Sequence, residues 1–410
     1  MQKRKDHKGR VLKDGESYRN SENRYSYRWT DKQGKRHSIY SQTLEGLRKR
    51  EAEITNDIYE GIRTDSRNIT VNDMFQAWKN DKKGLRSSTR GNYTYMYEQY
   101  VRDGFGKTKL KDVRKSDVRR FYNELHDTRN LSFNTIEIIH NVIHQLFALA
   151  VDDEYIRNNP TDMALKDCKL AHNYQRPKRH ALTIPEQTAF IEYIKNDPKF
   201  RHWLPLFTFF LGTGCRVSEV IALRWEDIDF DDGIININHG ITYYQREENK
   251  CYFSISEDTK TEAGKRIIPM LSEVRQALLN EREYQKEAEI TCQVTIDGYT
   301  DFVFLNRYGN VHNPQTINRA ISRIVQAHNI EEIELAEKQK REPVIIPHFS
   351  CHNLRHTFAT RYCENENNIK VIQEILGHKD IATTMDVYAE ATKDAKKKSF
   401  TELDGKIKIT

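Results

Sequence analysis

The hydrophobic period of this chain changes twice, which forbids a single repeating architecture and requires more than one core. Residues 24–30, Arg-Tyr-Ser-Tyr-Arg-Trp-Thr, alternate aromatic with polar or basic side chains at the two-residue period of a half-buried strand. From Thr70 the period becomes helical, and beyond Ala181 helical patterns mix with short strands. A chain of 410 residues divided this way predicts two to four domains. No apolar stretch approaches the ~20 residues of a membrane-spanning helix. The charged start, Met-Gln-Lys-Arg-Lys, precedes no apolar signal core, so a cytoplasmic protein is expected. Six cysteines lie scattered without a C-x-x-C pair, which argues for reduced structural thiols.

In the first regime Asp31 to Lys35 supplies a turn and Arg36 to Tyr40 a second strand, with Glu16 to Arg19 as a third. Leu44, Leu47, Ile54 and Ile58 recur at helical spacing on a covering element. Arg28, Lys32, Lys35 and Arg36 then stud an exposed ribbon of a shape that fits the DNA major groove. The plainer reading is that they solvate a small sheet; charge balance favours DNA. Residues 1–70 hold 17 Lys+Arg against 11 Asp+Glu, residues 71–180 hold 20 against 14, and residues 181–410 hold 29 against 35. A basic front half coupled to a mildly acidic back half points to a polyanionic partner.

Helices are predicted after Thr70, around Thr89 to Tyr100, after Ser116 as a cap, and over Thr135 to Ala150, giving a four-helix unit. The stripe Tyr93, Met96, Tyr97, Tyr100 is assigned to packing, and Lys107, Lys109, Lys111, Arg114, Lys115, Arg119 and Arg120 to phosphate contacts. After Asn158-Asn159-Pro160 the chain lacks apolar periodicity and carries Arg176, Lys178 and Arg179, which reads as a basic linker. Beyond it, Gly233 to His239, Lys250 to Ile255 and Gly264 to Met270 are expected to form one short antiparallel sheet. The acidic stretch Glu331 to Glu342 reads as a solvated helix or loop.

Three clusters carry chemistry. Gly212 to Val220 (GTGCRVSEV) is a tight turn into a helix with Arg216 near its start; His352 and Arg355 form an H-x-x-R pair on one helix face; His378 follows Gly377 with Tyr388 ten residues on. With Lys260, in Asp258-Thr259-Lys260-Thr261 before Gly264-Lys265-Arg266, this constellation resembles the tyrosine recombinases, the phage-integrase type of site-specific DNA recombinase, and over the whole chain the integrases of conjugative transposons. The family often has Pro where this chain has Cys351 and His where it has Glu390; neither position carries chemistry.

The resemblance implies a multidomain α+β fold. An arm-type DNA-binding sheet and helix would occupy 1–68, a SAM-like helical core-binding domain 69–165, a basic linker 166–180, a mainly helical catalytic domain with a short antiparallel sheet 181–395, and a tail docking in trans 396–410. Arg216 and Arg355 would fork onto nonbridging phosphate oxygens. His352 would take the proton of Tyr388, Lys260 would protonate the departing 5′ oxygen, and His378 would bind the phosphate or orient the tyrosine. A 3′-phosphotyrosyl intermediate stores the broken bond, so neither metal nor ATP is called for. Expected partners are duplex DNA at core and arm sites, three further copies in a synaptic tetramer, an excisionase-type factor and a host DNA-bending protein, with no membrane.

Four other readings compete with this one. His348, His352 and His356 have the spacing of a metal helix, but Arg355 intrudes and no third ligand motif is present. Asp227 to Gly233 begins like a calcium loop, but its Gly is one place late and the twelfth position is Asn238. A type IB topoisomerase would share the chemistry but relax supercoils as a monomer; the extra amino-terminal module disfavours it. A catalytically idle DNA-binding regulator would have no need of Tyr388.

Overall fold

The computed structural model describes residues 4–31, 34–63, 68–176, 180–247, 250–256, 264–389 and 391. The chain divides into two compact units, Met1–Arg176 and Pro177–Thr410.

The first unit opens with an antiparallel sheet of β1 (Glu16–Arg19), β2 (Arg24–Thr30) and β3 (Arg36–Ser41) in the order β1-β2-β3. Because side chains alternate along a strand, the register Tyr27↔Ile39 and Arg28↔Ser38 sorts the β2 aromatics Tyr25, Tyr27 and Trp29 to one face and the arginines, with Tyr40, to the other. Helix α1 (Leu44–Tyr59), capped by the Thr43 hydroxyl accepting from the Gly46 amide at 3.1 Å, covers the aromatic face. Leu12, Tyr25, Leu44 and Leu47 are buried between them.

The same unit continues as α2 (Val71–Asp81), α3 (Ser87–Tyr100), α4 (Lys115–Asp127), α5 (Phe133–Asp152) and α6 (Ala164–Ala171). A capping box of Thr70 and Asp73 starts α2. The tyrosine stripe packs as expected: Tyr97 is buried, stacks on Phe75 at 3.7 Å between ring centroids, and donates its hydroxyl to Asn72. Two expectations fail. Ser116 does not cap α4; the helix begins at Lys115, and the Asp117 carboxylate accepts from the Arg114 amide. The stretch expected to be linker from residue 166 begins inside α6, because Ala164, Leu165 and Cys168 are buried in this unit's core beside Lys166, Asp167 and Lys169, whose charges hide the spacing.

The second unit is built around α8 (Leu204–Thr213), whose Leu206, Phe207, Phe209 and Phe210 are all buried. A helix apolar all round must be central. It packs on α10 (Ser272–Glu287), α12 (Cys351–Asn365) and α7 (Ile184–Asn196). Among the described residues, the single sheet expected here is two. Strands β4 (Ile228–Asp229), β5 (Ile234–Ile237) and β8 (Arg266–Pro269) form one, while β7 (Lys250–Ser256) pairs with β6 (Gly240–Glu247). Strand β6 follows β5 after only Asn238 and His239, so sequence spacing gives it no boundary signal. The acidic stretch is the end of a 26-residue helix, α11 (Pro314–Gln339), with Ala336 buried. Short helices α9 (Val217–Val220) and α13 (Ile369–Leu376), and a helical stretch over 381–389, complete the unit. Among the described residues no helix is long and apolar enough to cross a membrane.

Candidate active site

Helix α8 ends at Gly214, whose φ of +62° lies in the left-handed region; a Cβ there would fall 2.2 Å from the Phe358 ring. This turn delivers Arg216 to the start of α9. Its backbone amide and Nη1 both donate to Glu219, at 2.8 and 2.7 Å, and its Nη2 donates to the Gly377 carbonyl at 2.7 Å. Arg355, on α12, donates Nη1 to the Gly214 carbonyl at 2.7 Å and Nη2 to the Leu376 carbonyl at 2.5 Å.

A third arginine completes the cluster. Arg266, from β8, donates Nη2 and Nη1 to the two Glu219 oxygens at 2.8 and 3.2 Å and Nε to the Ile375 carbonyl at 2.7 Å. Three guanidiniums from three separate elements therefore satisfy three successive carbonyls, 375 to 377, at the carboxyl end of α13. Those carbonyls have no intrahelical partner and carry the negative end of the helix dipole.

Three cations face one buried carboxylate. Burial alone would raise the Glu219 carboxyl, but Arg266 and Arg216 override it and hold it down at about 2. Burial, and then the Arg216 charge, lowers Arg355 to about 10, so it stays protonated at neutral pH while crowded by its own kind. An entering anion relieves that crowding. His378, next after Gly377, shares a hydrogen bond between Nδ1 and the Thr384 hydroxyl at 3.0 Å. Burial, then Arg355, Arg216 and Arg266, lowers it to about 4, so the ring is neutral at pH 7.

Tyr388 lies on the helical stretch 381–389, half-buried against the cluster of Ile372, Leu376 and Cys363 that joins α12 to α13. His352 is exposed on the first turn of α12, three residues before Arg355, and its charge contributes to the lowering of His378. Arg216, Arg355 and His378 thus meet at one turn, 376–378, and Tyr388 packs on the helices that carry it. Lys260 lies outside the described residues, as do Lys32, Lys178, Arg179 and the tail over 396–410. Arg266 was missed by motif reading; its signal was parity, since it shares the inward side of β8 with buried Ile268 while Ile267 is exposed.

The plainer readings hold elsewhere. Asp229 accepts the amides of Asp231 and Asp232, and Asp227 that of Arg224, which makes this acidic run a turn. Cys351 is buried, donates its thiol to Asn318, and is pushed up to about 12 by burial, which makes it inert.

Of the residues proposed for DNA, Arg28, Lys35 and Arg36 are exposed, with Arg28 and Arg36 on the open face of the first sheet. The register adds Arg19 and Arg24 to that face, where both guanidiniums stand over the Tyr40 ring. Lys107 and Arg176 are exposed, and Lys109 donates to Asn68 at 3.0 Å. Lys115 and Arg119 instead lean on Asp167, at 3.9 and 3.4 Å.

Comparison with known proteins matches residues 181–395 to the phage integrase family, residues 1–58 to the DNA binding domain of tn916 integrase, and residues 70–126 to the phage integrase N-terminal SAM-like domain. The transposase from transposon Tn916 of Enterococcus faecalis is 29% identical, covering 96% of this chain and 95% of its own. The Tn1545 transposase of Streptococcus pneumoniae matches to the same extent. Among solved structures, the Tn1549 transposon integrase in complex with transposon right end DNA is 26% identical with a TM-score of 0.68, over 82% of this chain and all of that one. A lambda integrase tetramer bound to a Holliday junction, 16% identical with a TM-score of 0.55 over 92% of this chain and 95% of its own, shares the fold.

Proposed function

The chain belongs to the phage integrase family, and from that premise we propose that it is the site-specific recombinase of a conjugative mobile element, cutting and rejoining DNA through Tyr388. The observation that carries this reading is the triple-arginine cluster at the end of α13, three guanidiniums against the single Glu219 carboxylate, which leaves a net cationic seat for one phosphate beside a neutral histidine. The full-length likeness to the Tn916 and Tn1545 transposases and to an integrase solved on transposon end DNA supports the element as substrate.

A phosphodiester repels nucleophiles, and attack adds charge to its nonbridging oxygens. Arg216 and Arg355 supply fixed donors for those oxygens, already oriented before DNA arrives. The Tyr388 oxygen forms a bond to phosphorus as the P–O5′ bond breaks. Its proton passes to His352, and Lys260 protonates the leaving 5′ oxygen. Neutral His378 donates or accepts one hydrogen bond without adding charge. The 3′-phosphotyrosyl ester conserves the bond energy, so a 5′ hydroxyl from another duplex can reverse the step without ATP. One nucleophile per chain and four strand cleavages per recombination imply four copies at the synapse, with an accessory directionality factor and a DNA-bending protein as further partners.

The domain boundaries at residues 68, 165, 180 and 395 belong to this reading, with the linker's ordered start reassigned to α6. So do phosphate contacts by Arg28, Lys32, Lys35, Arg36, Lys107, Lys109 and the 176–179 stretch. Incubation with a suicide substrate tests the core claim. A covalent protein–DNA adduct is expected from the native chain and none from Tyr388→Phe; an adduct persisting in that variant, or no adduct from the native chain on any substrate design, sinks it.

A further inference from the structure

The ends of α4 and α6 meet at a cluster to which the strand-transfer chemistry above assigns no role. His126, Asp127 and His172 each place one ligand atom within 4.8 Å of the others. Their hydrogen bonds decide what that means. The Nδ1 of His126 lies 3.0 Å from the Leu131 carbonyl, and the Nδ1 of His172 lies 3.0 Å from the Cys168 carbonyl. A carbonyl only accepts, so in both rings Nδ1 carries a hydrogen, and Nε2 is the nitrogen left to hold a second proton or a metal ion. Yet the Nε2 of His172 faces the Asp127 Oδ1, also an acceptor, at 3.0 Å. Two acceptors at that distance require a cation between them, either a proton or a metal ion.

We infer that His126, Asp127 and His172 form a binding site for a divalent transition metal of the zinc class, clipping α4 to α6. Two imidazoles and a carboxylate are a zinc ligand set, with water free to fill the fourth position. Backbone carbonyls holding the far nitrogen of each ring are the outer contacts that fix a metal-binding imidazole's tautomer and aim. Ligands about 2.0–2.1 Å from a tetrahedral ion stand roughly 3.3 Å from one another. His172 and Asp127 are near that separation already, and His126 has to swing inward by roughly 1–1.5 Å at most. Phe133 packs against both rings, at 4.4 and 5.5 Å between centroids, and shields the site on its inner side. His172 is the residue after α6, so the ion would pin the first unit at the point where the chain leaves it toward residue 176.

The test uses the full-length protein stripped with EDTA and titrated with Co²⁺ as an optical stand-in for zinc. One equivalent should bind with the visible absorption of a four-coordinate ion and be displaced by Zn²⁺. His126→Ala and His172→Ala should each weaken Co²⁺ binding at least tenfold. Asp127→Asn, at a carboxylate exposed enough to leave the fold intact, should do so with an unchanged circular dichroism spectrum. Zn²⁺ should raise the melting temperature of the native chain and not of the double histidine variant. Equal Co²⁺ affinity in the native chain and the double variant would assign binding to other side chains. Absence of binding would leave a proton between His172 and Asp127. Either result overturns the site, and neither bears on cleavage by Tyr388.

Discussion

On the open face of the β1–β3 sheet, Arg28 and Arg36 are exposed, while Arg19 and Arg24 lie half-buried over Tyr40 and pair with Glu22. In the second unit Arg266 and Arg355 are about 95% buried, and with Arg216 they spend their donors on carbonyls 375 to 377, Gly214 and Glu219. Both groups suit phosphates, but they work differently. An exposed face attracts a backbone through many weak, salt-screened contacts, none indispensable. A buried cluster holds few charges in one geometry, costs desolvation, and has no redundancy. Net charge therefore says little about where chemistry occurs: the catalytic half is acidic overall, yet its essential cations are concentrated at one turn.

That contrast can be broken at several points. The largest effect is expected from Arg266→Ala, which strips Glu219 of a buried partner and should cost about 3–5 kcal/mol of stability, read as a lower denaturation midpoint. A loss below about 1 kcal/mol, the scale of an exposed pair, would mean that the cluster behaves like a surface. Next, Arg355→Lys keeps a charge but cannot fork, and should slow cleavage by about 10²–10³-fold, in line with loss of one preorganised donor, with DNA binding nearly unchanged. A parallel loss of binding would show the two regions to be less separate than described.

Acid should reach the buried cluster through His378 and leave the exposed arginines charged. His378 is held at about 4 in the folded chain, mainly by burial, below the ~6.5 of a free histidine. The unfolded chain therefore binds the extra proton first. The stability that this ring allows is complete above pH 6.5 and lost as pH falls toward 4. Denaturation midpoints measured across that window should decline more steeply in the native chain than in His378→Asn; equal slopes would remove His378 from the account. The smallest effect belongs to the sheet: Arg28→Ala should reduce the salt slope of DNA binding by about one and leave cleavage within an assembled complex untouched.

Motif spacing made Arg216, Arg355 and His378 legible, because each sits on a turn or helix whose glycine or cap is local. The aromatic alternation of β2 and the Thr70 cap were legible for the same reason. Arg266 was not, since a strand arginine reads as solvated until its inward partner, Glu219, is known, and that partner lies 47 residues away. Strand β6 was hidden because only Asn238 and His239 separate it from β5, too little to mark a boundary. Helix α6 was hidden because Lys166, Asp167 and Lys169 interrupt an apolar stripe only three residues long.

The arginine cluster is anchored mostly to main chain, and that affects how the site can vary. Carbonyls 375 to 377 receive the guanidiniums whatever side chains Ile375 and Leu376 carry. A lineage could therefore exchange those residues for others that pack and keep the arginine seat. A one-residue insertion or deletion between 374 and 378 would shift every carbonyl by about 100° around the helix axis and dismantle it. The site tolerates spelling changes there but not changes in length.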